Sequence, residues 1–302
     1  MSKFTFDGAE MVSGEGYHKS GWCHYALYRF VIDPVLNMLP ARAHGYVRRT
    51  HALADDAIKY RTTHKALEVL YTGGHEKASR TLTQKLFHWL WMNTNNARAV
   101  QNRLVLTERL IEEHVRMLLH KDGVKHIELL SIASGSARSF VTILPKLVLK
   151  DGQSVRVTFL DKKLDALQYS EDLIKGVNLH PGKFQFRWVQ GTANTFLNND
   201  TDVTCYNLVE MVGLLDYFDD QKVRTTFRSI RKRLCSDGAL ITANIIPNGE
   251  RGFVTKVMDW RMIYRLPNEF AKLVVLAGFA KSTTRVFVEP LRVHTVVKTI
   301  RE

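Results

Sequence analysis

Two segments of the chain carry residues that could bind the ribose of a nucleoside ligand. Segment 130–138 is rich in Ser, Ala and Gly, so a ligand could approach its backbone N–H groups closely. Asp161 ends the apolar run 154–160 that comes next. An acidic side chain at the end of the second strand of a nucleotide-binding sheet accepts hydrogen bonds from ribose hydroxyls. These residues therefore predict a ribose site.

Segment 130–138 argues against a dinucleotide ligand. It lacks the GxGxxG pattern that presents a helix N-terminus to a pyrophosphate. A ribose-bearing ligand without a pyrophosphate fits better, and S-adenosyl-L-methionine is the common ligand of that kind, so we expect it as the cofactor. We expect no metal site, because the 12 histidines and 3 cysteines show no zinc-binding spacing.

The elements that would position these residues change in character near residue 124. Residues 1–123 place apolar side chains at helical spacing and predict an all-helical extension. Residues 124–302 alternate short apolar runs with helical stretches, which predicts βαβ units and a mostly parallel sheet. The predicted parallel strands are 127–133, 154–160, 186–191, 203–209 and 239–246, and 285–291 and 292–300 are predicted to form a C-terminal antiparallel hairpin.

Several motifs along residues 126–298 resemble one family. They are LSxAxGxAR at 130–138, LDxxxxALxY at 160–169, GLxDYxxD at 213–220, AN at 243–244 and DWxxIYR at 259–265. Together they are similar to class I S-adenosylmethionine-dependent methyltransferases, and within that class to the enzymes of 3-hydroxypalmitic acid methyl ester biosynthesis. The resemblance implies a Rossmann-like, seven-stranded methyltransferase sheet. Ser131 stands at the acidic position of the usual LDxGxGxG motif, and Ala133 and Ala137 replace two of its glycines.

The resemblance also implies residue roles in cofactor binding. The methionine and ribose portions would contact Ser131, Ala133, Gly135 and Ala137, and the ribose hydroxyls would contact Asp161. Thr192 would lie at the adenine edge, and Asn207 would lie on the floor of the transfer site after the fourth parallel strand.

Methyl transfer to a carboxylate would need little acid–base chemistry. The acceptor is already ionised at neutral pH and requires only a cation to orient it and an apolar tunnel for its tail. We expect Arg265 or Arg261 to pair with the acceptor, Tyr264 and Tyr217 to orient it, and Trp260 to form a wall. The alternative is that Trp260 and Tyr264 are core aromatics and that Arg265 forms a structural ion pair.

The helical region 1–123 is predicted to serve as a lid, an acceptor pocket or an oligomerisation surface, with a homodimer as the expected assembly. Within it, Tyr17 and His18 follow two glycines, so this flexible segment could close over the acceptor site. O-methylation of a small acidic or lipid-like molecule is the function that these features favour.

The net charge and the altered first loop leave two other functions open. The net charge of +13, with a pI near 9.7, suggests an RNA or protein methyltransferase, but the basic residues are spread evenly and 206–209 reads YNLV rather than NPPY or DPPY. We expect no nucleic-acid partner, and the charge also suits peripheral contact with anionic lipid. The altered first loop suggests a degenerate binding or scaffold protein.

The expected location is cytoplasmic. Cys23, Cys205 and Cys235 form no disulfide framework in the sequence pattern, which fits a reducing compartment. The N-terminal residues show no signal-peptide pattern, and no apolar run is long enough for a membrane span.

Overall fold

The computed structural model describes residues 8–40, 44–45, 63–72, 82–199 and 203–302. The strands are β1 Glu10–Met11, β2 His126–Ile132, β3 Ser154–Asp161, β4 Phe184–Gln190, β5 Tyr206–Met211, β6 Leu234–Ile245, β7 Arg285–Val288 and β8 His294–Ile300. The helices are α1 Trp22–Leu27, α2 Asp33–Met38, α3 His64–Thr72, α4 Leu82–Met92, α5 Asn95–His120, α6 Arg138–Ile143, α7 Leu164–Lys175, α8 Ala193–Asn199, α9 Asp220–Arg233, α10 Arg251–Lys256 and α11 Pro267–Leu276. A short π-helix, Tyr28–Ile32, joins α1 to α2.

In the described part of the chain, the strands form one eight-stranded sheet in the order β1-β7-β8-β6-β5-β2-β3-β4. Strand β8 pairs antiparallel with β6 and β7, and the other pairings are parallel. The five predicted parallel strands and the C-terminal hairpin are confirmed. Strand β2 lies between β3 and β5, so the chain reverses its direction of progress across the sheet there, and a crevice opens at the carboxyl ends of these strands.

The expectation that residues 1–123 contribute only helices is wrong at β1. Glu10 and Met11 pair with Phe287 and Val288 on the edge strand β7. A strand of two residues is too short to show the alternation by which strands are recognised in a sequence. The pairing covers part of the exposed edge of the sheet.

Helix α5 joins the helical region to the sheet. The Thr94 side chain accepts a hydrogen bond from the Ala97 N–H and caps the N-terminus of the helix. Apolar side chains recur along one face of α5, and Leu106, Leu110 and Ile111 are fully buried in the same core as residues of β2 and β3. The helical region and the sheet therefore share one hydrophobic core.

The cysteine pattern differs from the expectation. Cys205 and Cys235 form a disulfide, with their Cα atoms 5.0 Å apart, and Cys23 is free and exposed. Tyr206 pairs with Leu234 at the start of neighbouring strands, and this register brings the two cysteines together. Their separation of 30 residues gives no sign of this in the sequence. Disulfides persist in oxidising compartments, so the bond weighs against the cytoplasmic expectation.

No helix among the described residues is long and apolar enough to cross a membrane.

Candidate active site

The first loop, residues 133–137 between β2 and α6, has an unusual backbone. Ala133, Gly135 and Ala137 all adopt left-handed conformations, each with φ of 54°. Glycine occupies such conformations freely, whereas an alanine there costs roughly 1–2 kcal/mol. The two alanines therefore keep the backbone path that glycines would take, at some cost in stability.

Asp161 connects this loop to the end of β3. Its Oδ2 accepts a hydrogen bond from the Gly135 N–H at 3.1 Å, and its Oδ1 accepts one from the Lys163 N–H at 2.9 Å. A carboxylate has about four acceptor positions, so both oxygens can accept further bonds. Asp161 is half-buried and lines a cavity, which suits a carboxylate that receives the hydroxyls of a ribose.

The cavity has a volume of about 950 Å³ and extends from the carboxyl ends of the strands into the helical region. Its sheet side includes Ala133, Gly135, Asp161, Thr192 and Gly213. The rest of its lining is mostly apolar and includes Leu67, Leu70 and Trp91 of the helical region, together with Phe253, Met258 and Met262 from the segment after β6. The volume lies at the upper end of the range for small-molecule sites, so the cavity can hold a nucleoside and a second, apolar molecule.

A buried polar group lines the cavity between these two sides. Arg103 of α5 is only 3% exposed and hydrogen-bonds the phenol of Tyr71. Asp216 and His294 are also buried and line the same part of the cavity. Burial holds the pKa of His294 well below its usual value, and the Arg103 charge acts in the same direction, so this imidazole is neutral.

Ser131 and Glu210 lie side by side on β2 and β5. They are partners in the strand register, and Ser131 Oγ donates a 2.5 Å hydrogen bond to Glu210 Oε2. Burial raises the pKa of Glu210 to about 7. Strand β2 therefore carries a serine at this position, and the nearest carboxyl group is that of Glu210 on the neighbouring strand.

Helix α3 is held against the first loop by a cluster around Glu68. The Glu68 carboxylate accepts hydrogen bonds from Arg138 Nη2 at 2.6 Å and from Tyr169 Oη at 3.0 Å. The same helix places His64 over the loop, where a Cβ on Gly135 would meet the His64 Cβ at 3.4 Å. Helix α3 therefore forms part of the wall over Asp161 and the loop.

The structure brings together some of the sequence-predicted site residues. Those that line the cavity are Ala133, Gly135, Asp161, Thr192, Tyr217 and Trp260. The others lie outside its lining: Ser131, Ala137, Asn207, Tyr17, His18, Arg261, Tyr264 and Arg265. Tyr217 and Trp260 meet at the rim, where Trp260 Nε1 donates a 2.6 Å hydrogen bond to Tyr217 Oη.

Arg265 is buried in a network of its own. Its Nε pairs with Asp220 at 2.9 Å, and its Nη1 donates to Asn244 Oδ1 at 2.7 Å and to the Leu215 carbonyl at 3.2 Å. Its Nη2 donates to the Phe218 carbonyl. These contacts agree with the alternative that Arg265 forms a structural ion pair, and they occupy the edges of the guanidinium that an acceptor would need.

The other two residues expected beside Arg265 also lie away from the cavity. Arg261 is largely exposed and lies 3.7 Å from Asp259. Tyr264 is half-buried, and the Arg251 guanidinium lies over its ring. The segment extends without a helix up to Pro267, so the i, i+4 spacing of its aromatic residues does not place them on one face.

Asn207 is the second residue of β5, so the expectation that it follows the strand is wrong. It lies at the opposite end of the sheet from the cavity, and its Oδ1 accepts a hydrogen bond from the Glu128 N–H. The predicted strand 203–209 ends two residues before β5, which continues through Met211.

Tyr17 and His18 lie against α5 rather than over the cavity. The His18 backbone exchanges hydrogen bonds with the Asn102 side chain, and its ring contacts Gln101. The Tyr17 ring packs on the hydrophobic core. Paired polar contacts of this kind hold the segment in place, so its glycines do not make it a lid.

Arg103 and His64 line the cavity and are not predicted from the sequence, and Glu210, which bonds Ser131, lies outside the lining. The two on helices look like ordinary members of helical patterns, and Glu210 looks like one polar residue in an apolar strand. A charged residue within a buried strand was the only available signal, because such a residue is rarely buried without a partner.

The fold identifies the structural class of the protein. Without β1, the strand order β4-β3-β2-β5-β6-β8-β7, with β8 antiparallel, is the Rossmann-like sheet of class I methyltransferases. The first loop and Asp161 lie at the carboxyl edge of this sheet, where such folds bind their ligands.

Comparisons with known proteins agree with this class at the level of the fold. No protein-family model matches the chain, and no curated protein matches its sequence. A possible exported protein from Bordetella parapertussis superposes with a TM-score of 0.68 at 17% identity, over 86% of this chain and 87% of that one. The CurJ carbon methyltransferase gives 0.52 at 13%, over 92% and 70%. The CMeT domain of the citrinin polyketide synthase gives 0.51 at 13%, over 79% and 69%.

Proposed function

We propose that this protein is an S-adenosylmethionine-dependent methyltransferase that methylates the carboxylate of a fatty-acyl or similar apolar acid. The observation that carries the proposal is the single cavity that joins the first loop and Asp161 to an apolar chamber. The first half of this cavity suits a nucleoside, and the second suits the tail of a lipid-like acceptor.

The cofactor would be held by the sheet side of the cavity. Asp161 would accept the ribose hydroxyls, and the open backbone of Ala133 and Gly135 would lie along the ribose and methionine portions. Thr192 would lie beside the adenine, and its Oγ1 bonds the Thr195 hydroxyl. S-adenosylmethionine supplies an activated methyl group on a sulfonium.

The acceptor would lie in the chamber that the helical region lines. Leu67 and Leu70 of α3, Trp91 of α4 and Phe253 of α10 give it apolar walls that exclude water. Residues 1–123 would then act as the acceptor region of a methyltransferase domain formed by residues 124–302. The Trp260–Tyr217 pair at the rim would orient the incoming molecule.

The reaction mainly requires the chain to position the cofactor and the acceptor. A carboxylate is ionised at neutral pH, so no side chain has to remove a proton before the methyl group is transferred. Alignment of the nucleophilic oxygen with the methyl carbon can supply a large part of the rate. The apolar walls strengthen this effect, since they remove the water that would otherwise solvate the carboxylate.

Two measurements test the proposal. Isothermal titration calorimetry with S-adenosylhomocysteine should show binding, and Asp161→Ala should weaken it by about 10- to 100-fold, because hydrogen bonds to a charged group are lost. Asp172→Asn, an exposed acid on α7, is the matched control and should bind normally. Incubation with labelled S-adenosylmethionine and palmitate should give a labelled methyl ester.

Two outcomes would contradict the proposal. Absence of S-adenosylhomocysteine binding by the folded chain would leave a binding or scaffold protein. If the chain binds the cofactor but transfers label to RNA or protein and not to acids in a small-molecule extract, the acceptor is a macromolecule and not a carboxylic acid. The homodimer and the cytoplasmic location stay predictions.

A further inference from the structure

We propose that Arg103 is the receptor for a carboxylate group inside the cavity. This inference rests on the proposed function and assigns a residue to it, in place of the arginines that the sequence suggested. It concerns the carboxylate of the acceptor or the amino-acid carboxylate of the cofactor, which present the same planar anion.

Part of the Arg103 side chain is buried without hydrogen-bond partners among the described residues. Its Nε and Nη2 atoms are buried and have no hydrogen-bond partner in the part of the chain that the structure describes. A guanidinium carries five N–H donors, and a buried donor without a partner destabilises the fold. The folded chain has thus left a charged donor group unpaired beside its main cavity.

The unpaired edge of the guanidinium has a shape that suits a carboxylate. Nε and Nη2 lie along one edge of the planar guanidinium, and their N–H groups point in parallel directions. This edge matches the two oxygens of a carboxylate, which it binds through a pair of parallel hydrogen bonds. Gly213 leaves room beside it, because a Cβ there would lie 3.6 Å from Nη2.

The carboxylates near Arg103 accept hydrogen bonds from other groups of the chain. Asp216 accepts a hydrogen bond from the Ile245 N–H at 2.9 Å, and Glu210 accepts one from Ser131. Both acids influence Arg103 through their charge, but no ion pair within 4.0 Å joins it to an acid among the described residues. Tyr71 bonds the guanidinium and can fix its orientation.

The position of Arg103 also suits the reaction. It lies on α5, between the first loop side of the cavity and the apolar chamber, and Tyr217 and Asp216 line the wall beside it. A carboxylate held at this point would therefore lie at the junction of the two halves. Arg265, in contrast, makes four hydrogen bonds to protein acceptors.

The test uses two pairs of ligands that differ at a carboxylate. S-adenosylhomocysteine is compared with 5′-methylthioadenosine, which lacks the amino-acid part, and palmitate is compared with hexadecanol. Dissociation constants are measured by calorimetry for the full wild-type chain and for Arg103→Gln. Arg109→Gln, on the same helix and outside the cavity lining, is the matched control. Circular dichroism and thermal unfolding establish that each variant folds.

We expect Arg103→Gln to reduce the preference for the carboxylate-bearing member of one pair by about 10- to 100-fold. The pair that responds identifies the source: palmitate for the acceptor, S-adenosylhomocysteine for the cofactor. The partner lacking the carboxylate should bind Arg103→Gln and wild type equally, and Arg109→Gln should match wild type throughout.

Unchanged preferences in both pairs would overturn the inference. If Arg103→Gln does not fold, Arg103→Lys replaces it, because it keeps the charge and loses the two-pronged edge; an unchanged preference there also overturns it. Failure of the proposed function is a separate result. A wild-type chain that binds no S-adenosylhomocysteine refutes that function, while the palmitate pair still tests Arg103.

Discussion

The Glu68–Arg138 contact gives a quantitative prediction about how the helical region is attached to the sheet domain. Glu68→Gln and Arg138→Met each remove one partner of the pair that holds α3 against the first loop. The double variant removes both partners. The coupling energy from this double-mutant cycle measures the pair itself, free of the other effects of each substitution.

Its magnitude follows from burial and geometry. Arg138 donates to Glu68 through both Nε and Nη2, and the two side chains are 28% and 10% exposed. Double-mutant cycles give about 1.5–7 kcal/mol for close, desolvated charge pairs and about 0.2–1 kcal/mol for exposed pairs. Arg138 retains some solvent, so we expect a coupling energy of about 1.5–3 kcal/mol.

The chain contains an exposed control pair that starts from the same helix α3. Lys65 of α3 pairs with Asp165 of α7 at 3.1 Å, with side chains 47% and 52% exposed. Its cycle, with Lys65→Met and Asp165→Asn, should give less than about 1 kcal/mol. Urea unfolding followed by circular dichroism supplies the free energy of unfolding for every variant.

A second measurement links this contact to the site. Since α3 covers the first loop, the two Glu68 and Arg138 single variants should also bind S-adenosylhomocysteine more weakly than the Lys65 variant. Equal coupling energies in the two cycles would refute the reasoning, because burial would then not distinguish the pairs. So would a large coupling with unchanged ligand affinity, since α3 would then not belong to the site.

Three further predictions follow from single features. Burial raises the pKa of Glu210 from its usual value near 4.5 to about 7, so the folded chain holds a proton that the unfolded chain releases in this window, and stability falls as pH rises through it. Glu210→Gln should flatten that part of the slope in urea unfolding across these pH values. The paired substitutions Cys205→Ser and Cys235→Ser should lower the free energy of unfolding by about 2–4 kcal/mol, and intact-mass measurement before and after reduction checks the bond. Ala133→Gly should raise the free energy of unfolding, measured by urea or thermal unfolding, by about 0.5 kcal/mol. The strain removed from the left-handed alanine exceeds the cost of the greater conformational entropy of the unfolded chain. No change, or a loss, would show that the loop is unstrained.

The order of strands and helices could be predicted from the sequence. Most strands of the sheet, apart from the two-residue β1, show apolar runs or alternating apolar residues, so local patterns were sufficient to locate them. The same holds for Asp161, whose role depends on its place at the end of one strand. Periodicity gave poor boundaries, as Asn207 shows, because strand ends depend on pairing with neighbouring strands.

The composition of the site beyond the first loop could not be predicted in this way. Arg265 carries the expected charge in the expected motif, yet its donors face Asp220 and three backbone or side-chain oxygens. Arg103 has no motif around it, and only the packing of α5 on the sheet places it at the cavity. Whether an arginine is saturated or available depends on what surrounds it in space.

Patterns along the sequence predict the class of sheet and a ribose-binding role for Asp161, because both predictions depend on residues that are near one another in the chain. The tertiary structure decided which charges meet the cavity, that Glu210 lies opposite Ser131, and that Cys205 reaches Cys235. These pairings join residues far apart in the sequence, and they arise from strand register and helix packing. Local patterns carry no record of either.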